Sequence, residues 1–191
     1  AKHGRGLICL ALTSQKVKKL NLPLMSLINK SRTQTAFTVS IESKKGISTG
    51  ISAFDRAKTI KVAIKRNSTK NDIVSPGHVF PLVAKPGGVL ERAGHTEASI
   101  DISKLAKLNP SAVICEVMNE DGTMARGTDL SKISKKYNMP IVSIEDIIAY
   151  RIATENLVQK IIETDLPTKY GDFKVFGFIS DVDKSEPLAL V

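Results

Sequence analysis

The chain has 191 residues, 42% of them hydrophobic, which is enough to bury one sizeable core with a smaller appendage. No apolar run approaches the roughly 20 residues of a membrane-spanning helix and no secretory signal pattern occurs, so we expect a cytoplasmic protein with no membrane partner. The net charge of +9 admits nucleic acid, but the lysines are scattered and tryptophan is absent. We therefore predict no nucleic-acid binding, because a small anionic substrate explains a basic pocket equally well.

The first half of the chain reads as alternating strands and helices. The apolar run LICLAL predicts a strand buried on both faces, and the β-branched run TAFTVSI predicts a second strand. A serine followed three residues later by an aspartate predicts a capped helix. The predicted elements are a strand at 7–12, a helix at 14–20, a strand at 35–41 and a helix from 52 to about 65.

The second half continues this alternation and then changes character. Its predicted elements are a helix at 96–108, a buried strand at 111–119, a helix at 128–138, a strand at 139–144 and a long helix from 144 to about 164. The remaining residues alternate like a β-meander. We predict an α+β fold, a layered α/β sandwich around one mixed twisted sheet with a short β-rich C-terminal extension.

The two cysteines do not form a metal-binding pattern. Cys9 and Cys115 each lie in an apolar, strand-like run, without a CxxC spacing or a nearby histidine. We interpret both as reduced, buried thiols.

The segment STGISAFD is the first candidate site. Thr49, Gly50 and Ser52 would present hydroxyl and amide groups at a helix N-terminus, which suits a phosphate or a hydroxylated ligand. The same groups also make an ordinary helix cap together with Asp55. The sequence leaves both interpretations open.

The segment 76–96 contains two histidines beside glycines. His78, between a Pro-Gly turn and an apolar run, is typical of a hydrogen-bonded structural histidine. Arg92, His95 and Thr96 are separated only by small residues, so they can close on one ligand. Arginine grips phosphate bidentately and histidine binds metals or transfers protons, so we favour a functional site over a simple turn before a helix.

Glu116 is the most informative single residue. It interrupts the apolar segment SAVICEVMN, so we expect a carboxylate in apolar surroundings. Such a group must be paired, bound to a metal or partly protonated.

Five segments together resemble one known family. The runs KHGRGLICLALT, TGISAFDRAKTI, PGHVFPLVAKPGGVLERAGHTEASID, AVICEVMNEDGTMAR and IVSIEDIIAYR are similar to dihydroxybutanone phosphate synthase, an enzyme of riboflavin biosynthesis, over residues 2–151. The tail DLPTKYGDFKVFGF resembles the opening of GTP cyclohydrolase II, which is often fused behind the synthase. The resemblance implies a synthase domain at 1–155, a helical connection at 156–166 and a truncated cyclohydrolase-like β domain at 167–191.

The resemblance implies a metal-dependent lyase. Members convert ribulose 5-phosphate to 3,4-dihydroxy-2-butanone 4-phosphate and formate, with Mg2+ or Mn2+, in sites at a homodimer interface. By motif, His95 is the expected metal ligand. His78 and Glu116 are the expected catalytic residues, suited to proton transfer. The expected substrate-binding residues are Thr49, Asp55, Arg92, Ala93, Gly94, His95, Thr96 and Glu116.

One family feature does not occur in this sequence. The family carries, upstream of the HGRGL segment, an acidic loop that supplies a metal-binding carboxylate, and the chain begins after that point. We therefore expect little synthase activity from these 191 residues alone and full activity from the parent protein. We also expect no GTP hydrolysis, because no zinc cluster of Cys and His follows the tail.

Two other functions stay open at this stage. One is a fold relative that binds a nucleotide and double-stranded RNA, which would suit the +9 charge and would show steep salt dependence. The other is a scaffold for a GTP cyclohydrolase II, in which the two histidines and Glu116 would be structural.

Overall fold

The computed structural model describes residues 3–191. Its regular elements are β1 (Cys9–Thr13), α1 (Ser14–Leu20), β2 (Ile41–Ser43), α2 (Ala53–Ile64), β3 (Ile73–Ala84), α3 (His95–Leu105), β4 (Ser111–Ile114), α4 (Thr128–Tyr137), α5 (Ile144–Thr154), β5 (Val158–Thr168), β6 (Gly171–Ser180) and β7 (Leu188–Leu190). Strands and helices alternate as far as α4, α5 follows α4 directly, and three strands end the chain.

The main sheet has four strands in the order β2, β3, β1, β4. Strand β1 is parallel to β3 and antiparallel to β4, while β2 is antiparallel to β3. The sheet is therefore mixed, as predicted, and the apolar run at 7–12 supplies a central strand. The predicted α+β class is confirmed.

Helices cover both faces of the sheet around β1. Leu10 and Leu12 pack into a core cluster that includes Leu20 of α1 and Ala63 of α2. On the opposite face, Ala11 belongs to a second cluster with Ile100 of α3 and the small residues Ala84 and Ala112. Four residues of β1 in a row are buried because both alternating faces meet a helix. The layered sandwich expected from the sequence is present.

A second, antiparallel sheet follows α5, in the order β5, β6, β7. The predicted helix to residue 164 is wrong, since α5 ends at Thr154, and the predicted helical connection at 156–166 is wrong for the same reason. Strand β5 pairs with β6 from Val158 to Thr168. This pairing, together with Pro167 and the β-branched residues, overrides the helical pattern. The predicted β-meander is confirmed from β6 onward.

Three strand predictions need smaller corrections. The segment 35–40 forms only isolated bridges, because Pro81 of the neighbouring β3 has no N–H to donate. The Thr38 N–H donates to the Pro81 carbonyl, and the regular strand begins only at Ile41. The segment 139–144 is not a strand, since it pairs with none in the part of the chain described. Strand β4 ends at Ile114 rather than at residue 119.

Within residues 3–191 no helix is both long and apolar enough to cross a membrane.

Candidate functional site

His78 and Glu42 form a pair that the sequence did not reveal. His78 lies in β3, and its Nδ1 contacts the Oε1 of Glu42 in the antiparallel neighbour β2. The pairing register shifts between Ile41 and Glu42, and this irregularity accompanies the close contact. The Glu42 side chain is 16% exposed and that of His78 is 44% exposed, so the carboxylate is held inside while the imidazole reaches the surface. Only the pairing of distant strands joins residues 36 positions apart.

Glycine is required beside this pair. Gly50 has φ +84, and a Cβ built on it would lie 2.8 Å from the Nδ1 of His78 and would overlap the Glu42 carboxylate. A Cβ on Gly77 would overlap the backbone of Ile41. The loop and the strand can approach the Glu42 and His78 pair only because these side chains are absent.

Asp55 organises the loop that contains Gly50. Its carboxylate accepts hydrogen bonds from the Ser48 backbone N–H (3.2 Å), the Ser48 hydroxyl (2.7 Å) and the Gly50 N–H (3.0 Å). These bonds, the Ser48 hydroxyl first, lower the pKa of Asp55. Asp55 is buried, and these bonds give it a structural role in the loop. Ser52 caps α2 as predicted, and Thr49 lies exposed in the same loop.

Glu116 is exposed, so the predicted apolar environment is wrong. It lies beyond the end of β4, where its Oε2 accepts a hydrogen bond from the Leu7 backbone N–H at 2.9 Å. Three residues, 6–8, lie between Arg5 and Cys9, whereas only residues 115 and 116 lie between their partners on the opposite strand. This bulge leaves the Leu7 N–H without a backbone acceptor, and the Glu116 side chain provides one. A Cβ on Gly6 would lie 2.6 Å from that Oε2.

Glu116 and His78 lie at the same end of the sheet. Leu7 precedes Cys9 by two residues, as His78 precedes Phe80, and Cys9 pairs with Phe80 in the parallel ladder. Leu7 therefore lies beside His78 of β3, and on its other side its N–H donates to Glu116, which follows β4. The first candidate group thus consists of Glu42, His78 and Glu116.

Arg92 lies beyond the opposite end of β3 and is already engaged. Its Nη1 donates to Glu97 of α3 at 2.5 Å, and its Nη2 donates to the Thr33 carbonyl at 2.8 Å and to the Thr35 hydroxyl at 3.2 Å. Glu97 is 1% exposed and also accepts from the Lys85 N–H. These bonds use three of the roughly five N–H donors of the guanidinium.

His95 begins α3 and is exposed, next to Gly94 and exposed Ala93, while Thr96 is buried. Gly94 is the N-cap and no side chain caps this end of the helix. The first N–H groups of the helix and its dipole therefore favour an anion here. The second candidate group comprises His95 and the backbone of 93–96.

The two groups lie far apart in one chain. Ala84 lies six residue positions beyond His78 in β3, and the N–H of the next residue, Lys85, donates to Glu97 near the start of α3. At about 3.3 Å per residue this distance is roughly 20 Å, which exceeds the length of a pentose phosphate. A single chain therefore brings His78 near Glu116 but does not bring either residue near His95.

The described residues do not make a complete metal site. Among residues 3–191 no cluster of three or more His, Cys, Asp or Glu side chains is arranged to hold a metal ion. His95 could supply one imidazole. The nearest carboxylate in sequence, Glu97, is already bonded to Arg92 and to the Lys85 N–H.

Comparison with known proteins identifies the family that this arrangement matches. The family model described as 3,4-dihydroxy-2-butanone 4-phosphate synthase matches residues 1–150. The riboflavin biosynthesis protein RibBA of Aquifex aeolicus is 52% identical over 192 residues, covering 100% of this chain and 47% of the relative. The chain spans about half the length of most of the curated relatives it matches.

Solved structures agree with this match. RibBX, a two-domain 3,4-dihydroxy-2-butanone 4-phosphate synthase from A. baumannii, superposes with a TM-score of 0.91 at 45% identity, covering 99% of this chain and 56% of that one. A 3,4-dihydroxy-2-butanone 4-phosphate synthase in complex with two magnesium ions superposes at 0.76 with 36% identity, covering 80% of this chain and 76% of that one.

Proposed function

Since the chain belongs to the 3,4-dihydroxy-2-butanone 4-phosphate synthase family, we propose that its protein is a cytoplasmic lyase of riboflavin biosynthesis. The reaction converts ribulose 5-phosphate to 3,4-dihydroxy-2-butanone 4-phosphate and formate. The match over residues 1–150 carries this proposal. The alternatives of a double-stranded-RNA binder and of a cyclohydrolase scaffold are not supported, because the relatives carry riboflavin-pathway or synthase names.

His78 is the proposed proton-transferring residue. The reaction must remove a proton next to the sugar carbonyl, and an imidazole suits this step near neutral pH. The contact with Glu42 supports the role, because it leaves the outer ring nitrogen, Nε2, available to substrate. Glu116, level with His78 and exposed, is the second proposed proton-transferring group.

The N-terminus of α3 is the proposed phosphate site. The N–H groups of His95 and buried Thr96, which no side chain caps, offer donors and a positive dipole end, whereas the Gly94 N–H donates to the Arg92 carbonyl. Arg92 supports this site indirectly, because it holds Glu97 and the Thr33 carbonyl on either side of the turn. We thus assign Arg92 to shaping the phosphate site.

A homodimer is proposed because one chain separates the two groups by roughly 20 Å. A two-fold axis could pair the His78 end of one copy with the His95 end of its partner. Mg2+ or Mn2+ is the proposed cofactor, in line with the relative solved with two magnesium ions. His95 would supply one imidazole ligand, and the metal would act as a Lewis acid on the sugar oxygens.

The C-terminal residues 167–191 are proposed to begin a GTP cyclohydrolase II-like domain of a multifunctional enzyme. The RibBA relative matches over the whole chain, including this extension. The two-domain synthase RibBX matches over it as well. Measurement of GTP hydrolysis by the full-length protein tests this assignment.

Formate release tests the synthase proposal. The full-length protein, supplied with ribulose 5-phosphate and Mg2+, should release formate, and His78→Ala and His95→Ala should each lower the rate by roughly 10²-fold or more. Glu186→Gln is the control, since Glu186 is exposed and lies outside the matched residues 1–150. Absence of formate release by the unmodified protein would overturn the proposed function.

Mixed dimers test the two-copy arrangement. When the two inactive variants are co-expressed, half of the dimers carry one variant of each kind, and one of their two sites is intact. We expect about a quarter of the normal rate in the mixture. A mixture as inactive as its parents, from dimers shown to be mixed, would refute the shared site while leaving the lyase assignment intact.

A further inference from the structure

We infer that Glu42 is a positioning residue that sets the tautomer of His78. A carboxylate has no proton to donate when ionised, so the Nδ1 that touches Glu42 must carry the hydrogen of the neutral ring. The lone pair of the neutral imidazole is then on Nε2. The catalytic consequence of this inference rests on the proposed function, whereas the tautomer itself does not.

The surroundings hold the carboxylate in this contact. Glu42 is largely buried in β2, whereas the side chain of His78 is nearly half exposed, and Nδ1 is the ring nitrogen that contacts the Glu42 carboxylate. Gly50 and Gly77 close around the pair, because a Cβ at either position would overlap Glu42 or the adjoining backbone. Asp55, by binding the N–H of Gly50, fixes the loop that forms this wall. Glu42 therefore has little room to release the imidazole.

This arrangement divides the work between two side chains. Glu42 accepts from Nδ1 and orients the ring, while Nε2 faces outward and can accept a proton from a bound sugar. When Nε2 is protonated, the ring becomes a cation that lies against the Glu42 carboxylate. His78 returns the proton from Nε2 to a later intermediate, so the pair ends each cycle unchanged. Glu42 touches no substrate and acts only through His78.

Nitrogen NMR of the ring tests the tautomer directly. The described chain contains three histidines, His3, His78 and His95, so their ring nitrogens can be assigned by comparison with His78→Gln. At about pH 8.5, where imidazoles are ordinarily neutral, we expect Nδ1 of His78 to resonate as a protonated nitrogen and Nε2 as a bare one. A protonated Nε2 in the unmodified protein would overturn the inference.

Glu42→Gln provides the second measurement. The amide can donate as well as accept, so it no longer selects one tautomer, and the His78 signals should move while those of His3 and His95 stay unchanged. Unchanged signals from those two rings show that the variant is folded. Glu186→Gln, on an exposed glutamate, should leave all three rings unchanged. Unaltered His78 signals in Glu42→Gln would refute the positioning role.

Kinetics links the tautomer to catalysis. Formate release by Glu42→Gln should show kcat lowered by roughly 10-fold to 10²-fold with KM changed by less than about threefold, since the residue acts on proton transfer rather than on binding. An unchanged kcat would overturn the catalytic part of the inference. If the unmodified protein releases no formate, the proposed function fails, and the NMR result still decides whether Glu42 sets the tautomer.

Discussion

Replacing Arg92 with alanine separates its structural role from a substrate-binding one. The partner Glu97 is 1% exposed, and Arg92 is 25% exposed. Removing one member of a fully buried ion pair costs about 3–5 kcal/mol, because the remaining charge loses its compensation. Partial exposure of Arg92 screens the pair, which reduces the expected loss to about 2–3 kcal/mol.

Urea unfolding followed by far-ultraviolet circular dichroism measures this loss. With a slope of about 2 kcal/mol per molar urea, the midpoint should fall by about 1–1.5 M. Arg5→Ala is the matched control, because Arg5 pairs with Glu120 at 3.0 Å but the two side chains are 44% and 91% exposed. This exposed pair should contribute less than about 1 kcal/mol.

A double variant tests the cause. In Arg92→Ala combined with Glu97→Gln no buried carboxylate is left uncompensated, so the combined loss should be smaller than the sum of the single losses by about 1–2 kcal/mol. If Arg92→Ala leaves the urea midpoint unchanged and only raises KM for ribulose 5-phosphate, our reasoning is refuted, and Arg92 is a phosphate ligand as its sequence context first suggested.

Three further outcomes follow from the same contacts. The hydrogen bonds that lower the pKa of Asp55 stabilise the fold above the ordinary carboxyl pKa of about 4, and this stabilisation is lost as the pH falls through the lower folded value. The urea midpoint of Asp55→Asn should therefore approach that of the unmodified protein in acid. A difference between the two midpoints that widens in acid would contradict this. Burial, followed by the charge of Glu116, raises the pKa of Cys9 to about 11. A thiol reagent at pH 8 should therefore modify half-buried Cys115 in the native protein and Cys9 only after unfolding. Labelling of both cysteines at the same rate in the native protein would disprove this difference in reactivity. Gly50→Ala should lower the free energy of unfolding by about 1–3 kcal/mol because of its positive φ and the overlap with Glu42, and an unchanged urea midpoint would argue against the close approach.

The sequence predicted the fold where local and tertiary preferences agree. The apolar run at 7–12 became the central strand because helices cover both of its faces. The predicted start of the long helix at 144 is confirmed, where Ser143 and Asp146 form a reciprocal capping box, and α4 occupies the predicted segment. The helix predicted beyond residue 154 failed because its capping and apolar pattern describe only the first turns. Residues 158–168 form a strand because they pair with β6, and this tertiary contact is not visible in their own sequence.

The candidate site could be predicted only in part. The motifs point to His78, His95 and Glu116, which are all exposed: His78 lies within β3, His95 begins α3 and Glu116 follows β4. The sequence could not show that Glu42 contacts His78, because the contact depends on how two distant strands pair, and their register is irregular at Glu42. The burial of Glu97 was missed too, although the four-residue spacing of Glu97 and Asp101 gives a weak signal of one helix face.

A residue type that suits a reaction is available for it only when the fold leaves its polar atoms unused. Arg92 and Asp55 both have suitable chemistry for a sugar phosphate, yet both terminal nitrogens of Arg92 and both carboxylate oxygens of Asp55 already bond to neighbouring protein groups. Of the residues singled out by sequence, the two exposed imidazoles are His78, in the middle of β3, and His95, at the start of α3 beyond the C-terminal end of that strand. If both serve one pentose phosphate, the strand that separates them also requires a second copy of the chain. The distance set by β3 therefore links the proposed chemistry of each histidine to the proposed homodimer, and the mixed-dimer experiment measures both at once.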